Sequence, residues 1–163
     1  MNDDDVGALT DRMDINDLCA RYAMCLSRHL LDEIVSLFTP DGVYHAFGEE
    51  YSMEVLPDLI AAAPRGQLIV NTPLIELDGD QASGSQNYAF IAQQTHEMRL
   101  AWYDDVYVRT EEGWRFASRA TTFLRRSGGF DSGDAHDPVR PRVEGSDELL
   151  TGAGDQELGE AVA

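Results

Sequence analysis

Lysine does not occur in this chain: all twelve basic residues are arginine, against thirty Asp and Glu, for a net charge of -18 over 163 residues. Chemistry that needs a lysine amine is excluded, which removes Schiff-base aldolases, pyridoxal-phosphate enzymes and P-loop NTPases. The acidic field repels phosphate backbones and anionic lipid, so neither a nucleic-acid nor a membrane partner is expected. Its simplest use is solubility. Long apolar runs are also missing, and none approaches the ~20 residues of a membrane span. The opening Met1-Asn2-Asp3-Asp4-Asp5 has neither the cationic nor the apolar region of a signal peptide. A cytoplasmic location is the expectation. Cysteine is scarce, and Cys19 and Cys25 lie six apart on a predicted helix, pointing in different directions. Neither a disulfide nor a metal pair is expected from them.

The familiar cofactor and nucleophile signatures are absent as well. His29, His45, His96 and His136 are scattered, with no i, i+4 pair and no Cys partner, so no zinc site is expected. Each reads most simply as structural or exposed. Asp78-Gly79-Asp80 lacks the further ligands of a calcium loop and reads as a hairpin turn. Gly152-Ala153-Gly154 follows no strand and opens no strong helix, so it carries no dinucleotide. There is no Gly-x-Ser-x-Gly elbow. The expectation is therefore no cofactor, no metal, and acid–base chemistry if there is chemistry at all.

What is present suits one domain of ordinary size. Residues 1–12 read as a flexible acidic lead-in, 13–126 as the folded domain, and 127–163 as a disordered acidic tail rich in Ser, Gly, Asp, Pro and Glu. A helix is predicted from Asp14, with Ile15, Leu18, Cys19, Tyr22, Cys25, Leu26 and His29 on one face. Leu31 to Phe38 gives a second short helix, stopped by the turn Thr39-Pro40-Asp41-Gly42. Val43 to Phe47 reads as a short strand, and Val55 to Ala63 as a third helix with Pro57 in its first turn. Thereafter the period is two: strands at 67–77, 82–93, 97–110 and 114–125. Helices first and antiparallel strands afterwards indicate an α+β layer in which helices cover one face of a curved sheet enclosing a pocket.

The last hairpin is the richest feature. Tyr103, Asp105, Tyr107 and Arg109 share one parity, and Trp102, Val106 and Val108 the other. A turn over Glu111-Glu112-Gly113 sets Asp105 beside Arg119 and Val108 beside Phe116. The polar face is a candidate pocket wall. The apolar face, with Phe116, meets either the helices or a second copy of the chain.

These words in this order resemble the SnoaL-like branch of the nuclear transport factor two-like superfamily. The resemblance rests on Ala20-Arg21-Tyr22-Ala23, Leu37-Phe38-Thr39-Pro40-Asp41-Gly42-Val43, Asn71 with Leu77-Asp78-Gly79-Asp80, and Tyr103-x-Asp105 leading to Gly113-Trp114-Arg115-Phe116-x-x-Arg119. It implies a cone-shaped half-barrel, with N-terminal helices on a curved, mixed, mostly antiparallel sheet around an apolar pocket, commonly as a homodimer. Relatives include scytalone-dehydratase-like lyases, polyketide cyclases and ketosteroid isomerases, together with non-catalytic subunits. Dehydratase-like relatives pair a His on the first long strand with an Asp late in the first helix. Those positions align with Gln67 and Ser27, so the dyad is replaced.

The expected activity is a cofactor-independent lyase or isomerase, of dehydratase or cyclase type, acting on a hydrophobic oxygenated small molecule such as a polyketide, terpenoid or steroid-like compound. The alternative is a binding or assembly subunit of the same fold. Asp105 is the candidate base, with Tyr22 and Tyr103 as oxyanion donors. Gln67, Asn71, Tyr44, Tyr88 and Arg119 are the candidate substrate contacts. Competing readings are a structural ion pair for Asp105 with Arg119 and a core aromatic for Tyr22.

Overall fold

The computed structural model describes residues 3–124 together with 130–131. Three helices, α1 (Asp3–Arg28), α2 (Leu31–Ser36) and α3 (Leu56–Ala62), combine with eight strands. The strands are β1 (Phe38–Ala46), β2 (Glu49–Ser52), β3 (Gly66–Val70), β4 (Leu74–Asp78), β5 (Gln81–Ala92), β6 (Met98–Thr110), β7 (Gly113–Leu124) and β8 (Phe130–Asp131). One sheet runs β2-β1-β7-β6-β5-β3, with β4 on β5 and β8 on β7. Only β1 and β7 run parallel; the other pairings are antiparallel. The α+β expectation, with a mixed and mostly antiparallel sheet, holds. No helix among the described residues is long and apolar enough to cross a membrane.

Helix α1 buries the predicted stripe. Ile15, Leu18, Cys19, Tyr22 and Cys25 are buried against Phe38, Tyr107 and Phe116 of the sheet. Helical spacing collects these side chains on one face, and their burial supplies most of the helix's stability. Near its C-terminal end Ser27 Oγ accepts the Leu68 amide of β3 at 2.9 Å. The helix is thereby stitched to the strand edge.

Several local expectations are revised. The lead-in over 1–12 is helical from Asp3, because Asp11 reaches the last hairpin: its carboxylate accepts Arg109 Nη2 at 2.6 Å and Trp114 Nε1 at 3.1 Å. Arg12 adds a bond to the Ile75 carbonyl at 2.7 Å. Tertiary anchors override the aperiodic acidic sequence. The Thr39–Gly42 turn becomes a bulge inside β1, between the pairs Phe38↔Phe116 and Val43↔Ser118. The strand expected over 67–77 breaks at Asn71-Thr72-Pro73 into β3 and β4, as a proline that cannot donate to a ladder requires. Of the tail expected over 127–163, Phe130 and Asp131 pair with β7. Its other residues from 127 onward lie outside the described residues.

The final hairpin keeps Asp105 opposite Arg119 but reaches that register by a different route. Thr110 pairs with Gly113 across the two-residue loop Glu111-Glu112, and Tyr107 pairs with Phe116. A bulge then skips Ala117, so that Val106 pairs with Ser118 and Asp105 with Arg119. Before the bulge Trp114 and Phe116 face inward; after it Arg119, Thr121 and the half-buried Phe123 do. Phe116 therefore belongs to the core, packed 5.1 Å from Phe38 ring to ring, and not to the outer face with Trp102, Val106 and Val108.

Candidate functional site

Strand parity decides which side chains meet under the helices. On β6 the odd residues Ala101, Tyr103, Asp105 and Tyr107 are buried, while Asp104 and Val106 are exposed. On β5 Gln86 and Tyr88 turn the same way, and on β3 Leu68 does. The concave face so formed closes against α1 and α3.

A cavity of about 120 Å³ opens there, on the scale of one aromatic ring. Tyr22, Tyr44, Tyr88 and Tyr103 line it, with Leu26, Leu59, Ile60, Leu68, Phe90 and Phe123 as apolar walls. Tyr88 stacks on Tyr103 at 4.3 Å between ring centroids, and Tyr22 meets Tyr103 edge-on at 5.9 Å. Tyr88 Oη and Thr121 Oγ1 are hydrogen-bonded at 2.8 Å. Four candidate residues, Tyr22, Tyr44, Tyr88 and Tyr103, thus converge. Tyr44 lines the cavity while its neighbour His45 sits 3.7 Å from Glu50.

Burial keeps these phenols protonated. It pushes Tyr22 up to about 12, with the Arg119 charge opposing. Tyr44 and Tyr103 are raised well above the ordinary value, again chiefly by burial. A phenol that stays neutral is a hydrogen-bond donor over the whole physiological range.

Asp105 is not at the cavity. Its carboxylate is fully buried behind the tyrosine floor and accepts Arg119 Nε at 2.8 Å, Arg119 Nη2 at 2.8 Å and Tyr107 Oη at 2.8 Å. The Tyr107 hydroxyl in turn lies 3.4 Å from Cys19 Sγ. Arg119 stacks under three rings, 4.3 Å from Tyr22, 3.9 Å from Tyr103 and 4.1 Å from Phe116. Burial works against its charge, and Asp105 more than offsets this, holding its pKa well above the ordinary value. A carboxylate that is fully buried, held by three donors and absent from the cavity wall is not placed to take a substrate proton. The assignment of Asp105 as base is therefore corrected, and Arg119 is a support beneath the floor rather than a substrate contact.

Gln67 and Asn71 are corrected too. Both are exposed and neither borders the cavity, because on β3 the inward residue is Leu68. The amide that does turn inward is Gln86, whose Nε2 donates to the Asn71 carbonyl at 2.6 Å. Ser27, at the other dyad position, spends its oxygen on Leu68 and its proton on the Ala23 carbonyl at 2.8 Å. Neither position presents an ionisable side chain to the cavity.

The cavity also takes residues outside the expected contacts, among them His29, whose simplest reading from sequence is structural or exposed. His29, half-buried just beyond α1 with a left-handed φ of 59°, lines the cavity, as do Phe47, Arg65 and Arg99. Arg99 shares the parity of Tyr103, so its inward direction was available from the pattern. His29 was legible as the last member of the α1 stripe.

The chain matches a family described as the SnoaL-like domain over residues 7–120. An uncharacterised protein of Mycobacterium tuberculosis H37Rv is 28% identical over 129 residues, covering 72% of this chain and 88% of the relative. Among solved structures, an NTF2-like protein with a cystatin-like fold from Novosphingobium aromaticivorans superposes with a TM-score of 0.68 at 20% identity. That match covers 75% of this chain and 87% of the other. A provisionally assigned scytalone dehydratase from the same organism superposes at 0.65 and 18% identity, over 72% and 87% of the two chains.

Proposed function

This chain belongs to the SnoaL-like domain family, and from that premise we propose that it is a cofactor-independent lyase or isomerase acting on a hydrophobic, oxygenated small molecule. One observation carries the reading: three buried phenols, Tyr22, Tyr88 and Tyr103, and the half-buried Tyr44 converge on an apolar cavity that His29 also lines. The similarity to a provisionally assigned dehydratase supports the same reaction class.

In this reading His29 removes a proton from a carbon next to the substrate carbonyl. Histidine is the side chain best suited to such transfer near neutral pH. The electron pair moves onto the carbonyl oxygen, which accepts hydrogen bonds from the phenols of the floor. Isomerisation follows if the imidazolium returns the proton at another carbon. Elimination follows if a hydroxyl leaves from the β-carbon with that proton, as water. Arg119, stacked beneath Tyr22 and Tyr103, fixes the rings without touching substrate.

Phenylacetone, a neutral enolisable ketone with one ring, tests this. In D₂O the protein is expected to accelerate exchange of its methylene protons, followed by NMR. His29→Gln should slow the catalysed exchange by about 10²- to 10⁴-fold, the usual worth of a general base. Unchanged exchange in that variant would remove His29 from the mechanism. The second reading, binding without turnover, is favoured because neither dyad position presents an ionisable side chain to the cavity. It gains if phenylacetone binds and never exchanges.

A further inference from the structure

The mouth of the cavity is not neutral. Arg65 and Arg99 both line it, both are exposed, and both continue into the adjoining surface groove over Gln93, Gln94 and Thr95. Neither forms an ion pair among the described residues, although Glu97 borders that groove. Arg12, Arg21 and Arg28 also lack an ion pair among the described residues, but Arg65 and Arg99 are the arginines that line this apolar cavity. Arg109, Arg115 and Arg119 each hold a carboxylate.

The backbone holds the two guanidinium groups at the rim. Arg99 lies opposite Phe90 on the inward parity of β6, two residues before the buried Ala101. Its charge reaches the Tyr88 phenol, favouring ionisation there against the larger effect of burial. Arg65 immediately precedes Gly66, where a Cβ would collide with the Ile91 carbonyl oxygen and lie 2.6 Å from Phe90 Cζ. Only glycine lets the chain pass this close to β5. The Arg65 carbonyl is also fixed, accepting the Gln93 amide at 2.8 Å.

We infer that the cavity takes an amphiphilic anion: an apolar ring body among the tyrosines, with a carboxylate or phosphate group held at the rim by Arg65 and Arg99. Guanidinium groups suit both oxyanions through paired N–H donors. The inference rests on the cavity being the ligand site proposed above and adds the charge of the ligand. It also gives the arginines a use in an otherwise repelling acidic field: they admit an anion at one place.

Titration calorimetry with three one-ring probes tests it: 3-phenylpropanoate, its primary amide, and 2-phenylethyl phosphate. The full-length protein is expected to bind at least one anion tenfold or more tightly than the amide, and the preference should shrink as salt is raised. A tighter carboxylate points to a free acid, and a tighter phosphate to a phosphate monoester. Arg65→Gln with Arg99→Gln should abolish the preference while leaving the thermal midpoint unchanged. Equal binding of amide and anions by the unsubstituted protein, or a preference that survives the double substitution, overturns the inference. Phenylacetone exchange reads the other proposal separately: catalysed exchange without anion preference defeats only this inference, and anion preference with phenylacetone that binds yet never exchanges defeats only the lyase or isomerase reading.

Discussion

Arg119 grips Asp105 through two parallel hydrogen bonds of 2.8 Å, with both side chains at 0% exposure. The pair ties β6 to β7 directly beneath the tyrosine floor, so its first consequence concerns stability. Removing one partner strands a buried charge, which costs about 3–5 kcal/mol. Asp105→Asn is expected to lose that much in urea denaturation. Joint replacement by Asp105→Leu and Arg119→Met should restore a large part, because no buried charge remains. A cost below about 1 kcal/mol for Asp105→Asn would contradict the role assigned to the pair.

The phenols give a pH dependence of defined sign. Burial raises Tyr22 to about 12 and lifts Tyr44, Tyr88 and Tyr103 above their ordinary value. In the unfolded chain phenols ionise near pH 10. Between these values the unfolded state loses protons that the folded state retains, so stability is fully present below pH 10 and falls as pH rises toward about 12 and beyond. Spectrophotometric titration should show phenolate absorbance lagging and then rising together with loss of near-ultraviolet circular dichroism. Reversible ionisation of every tyrosine near pH 10, with the fold intact, would refute the buried floor.

The outer sheet face offers a third test. Ile69, Ala89, Leu100 and Leu124 lie in register across β3, β5, β6 and β7. Ile69, Leu100 and Leu124 are 48%, 43% and 40% exposed. The SnoaL-like resemblance carries the expectation of a homodimer, and we assign its contact to this row. Sedimentation velocity should show a dimer that Leu100→Glu converts to monomer with the fold retained. A monomer before substitution would dispose of the assignment.

The sequence reading succeeded where one period governed a whole element. Tyr103 and Asp105 point inward as period two requires, and the α1 stripe from Ile15 to His29 faces the sheet or the cavity. It failed where a local irregularity reset the count. Gln67 was placed in the pocket because nothing in β3 reveals its inward parity until α1 is docked on Leu68. Phe116 was placed on the wrong face because no residue type advertises the bulge at Ala117. The pattern alone shows a carboxylate beside an arginine at Asp105, not that Tyr107 supplies a third donor behind the floor.

That bulge has a wider meaning. About a third of the way along β7, the strand must serve masters of opposite phase: Phe116 for the core beside Phe38, Arg119 for the buried carboxylate. Ala117 is the half-step between them. Were Ala117 to take a regular place opposite Val106, every later side chain of β7 would change face, setting Ser118 against Asp105 and turning Arg119 to solvent. Register, at this point of the chain, is as specific as chemistry.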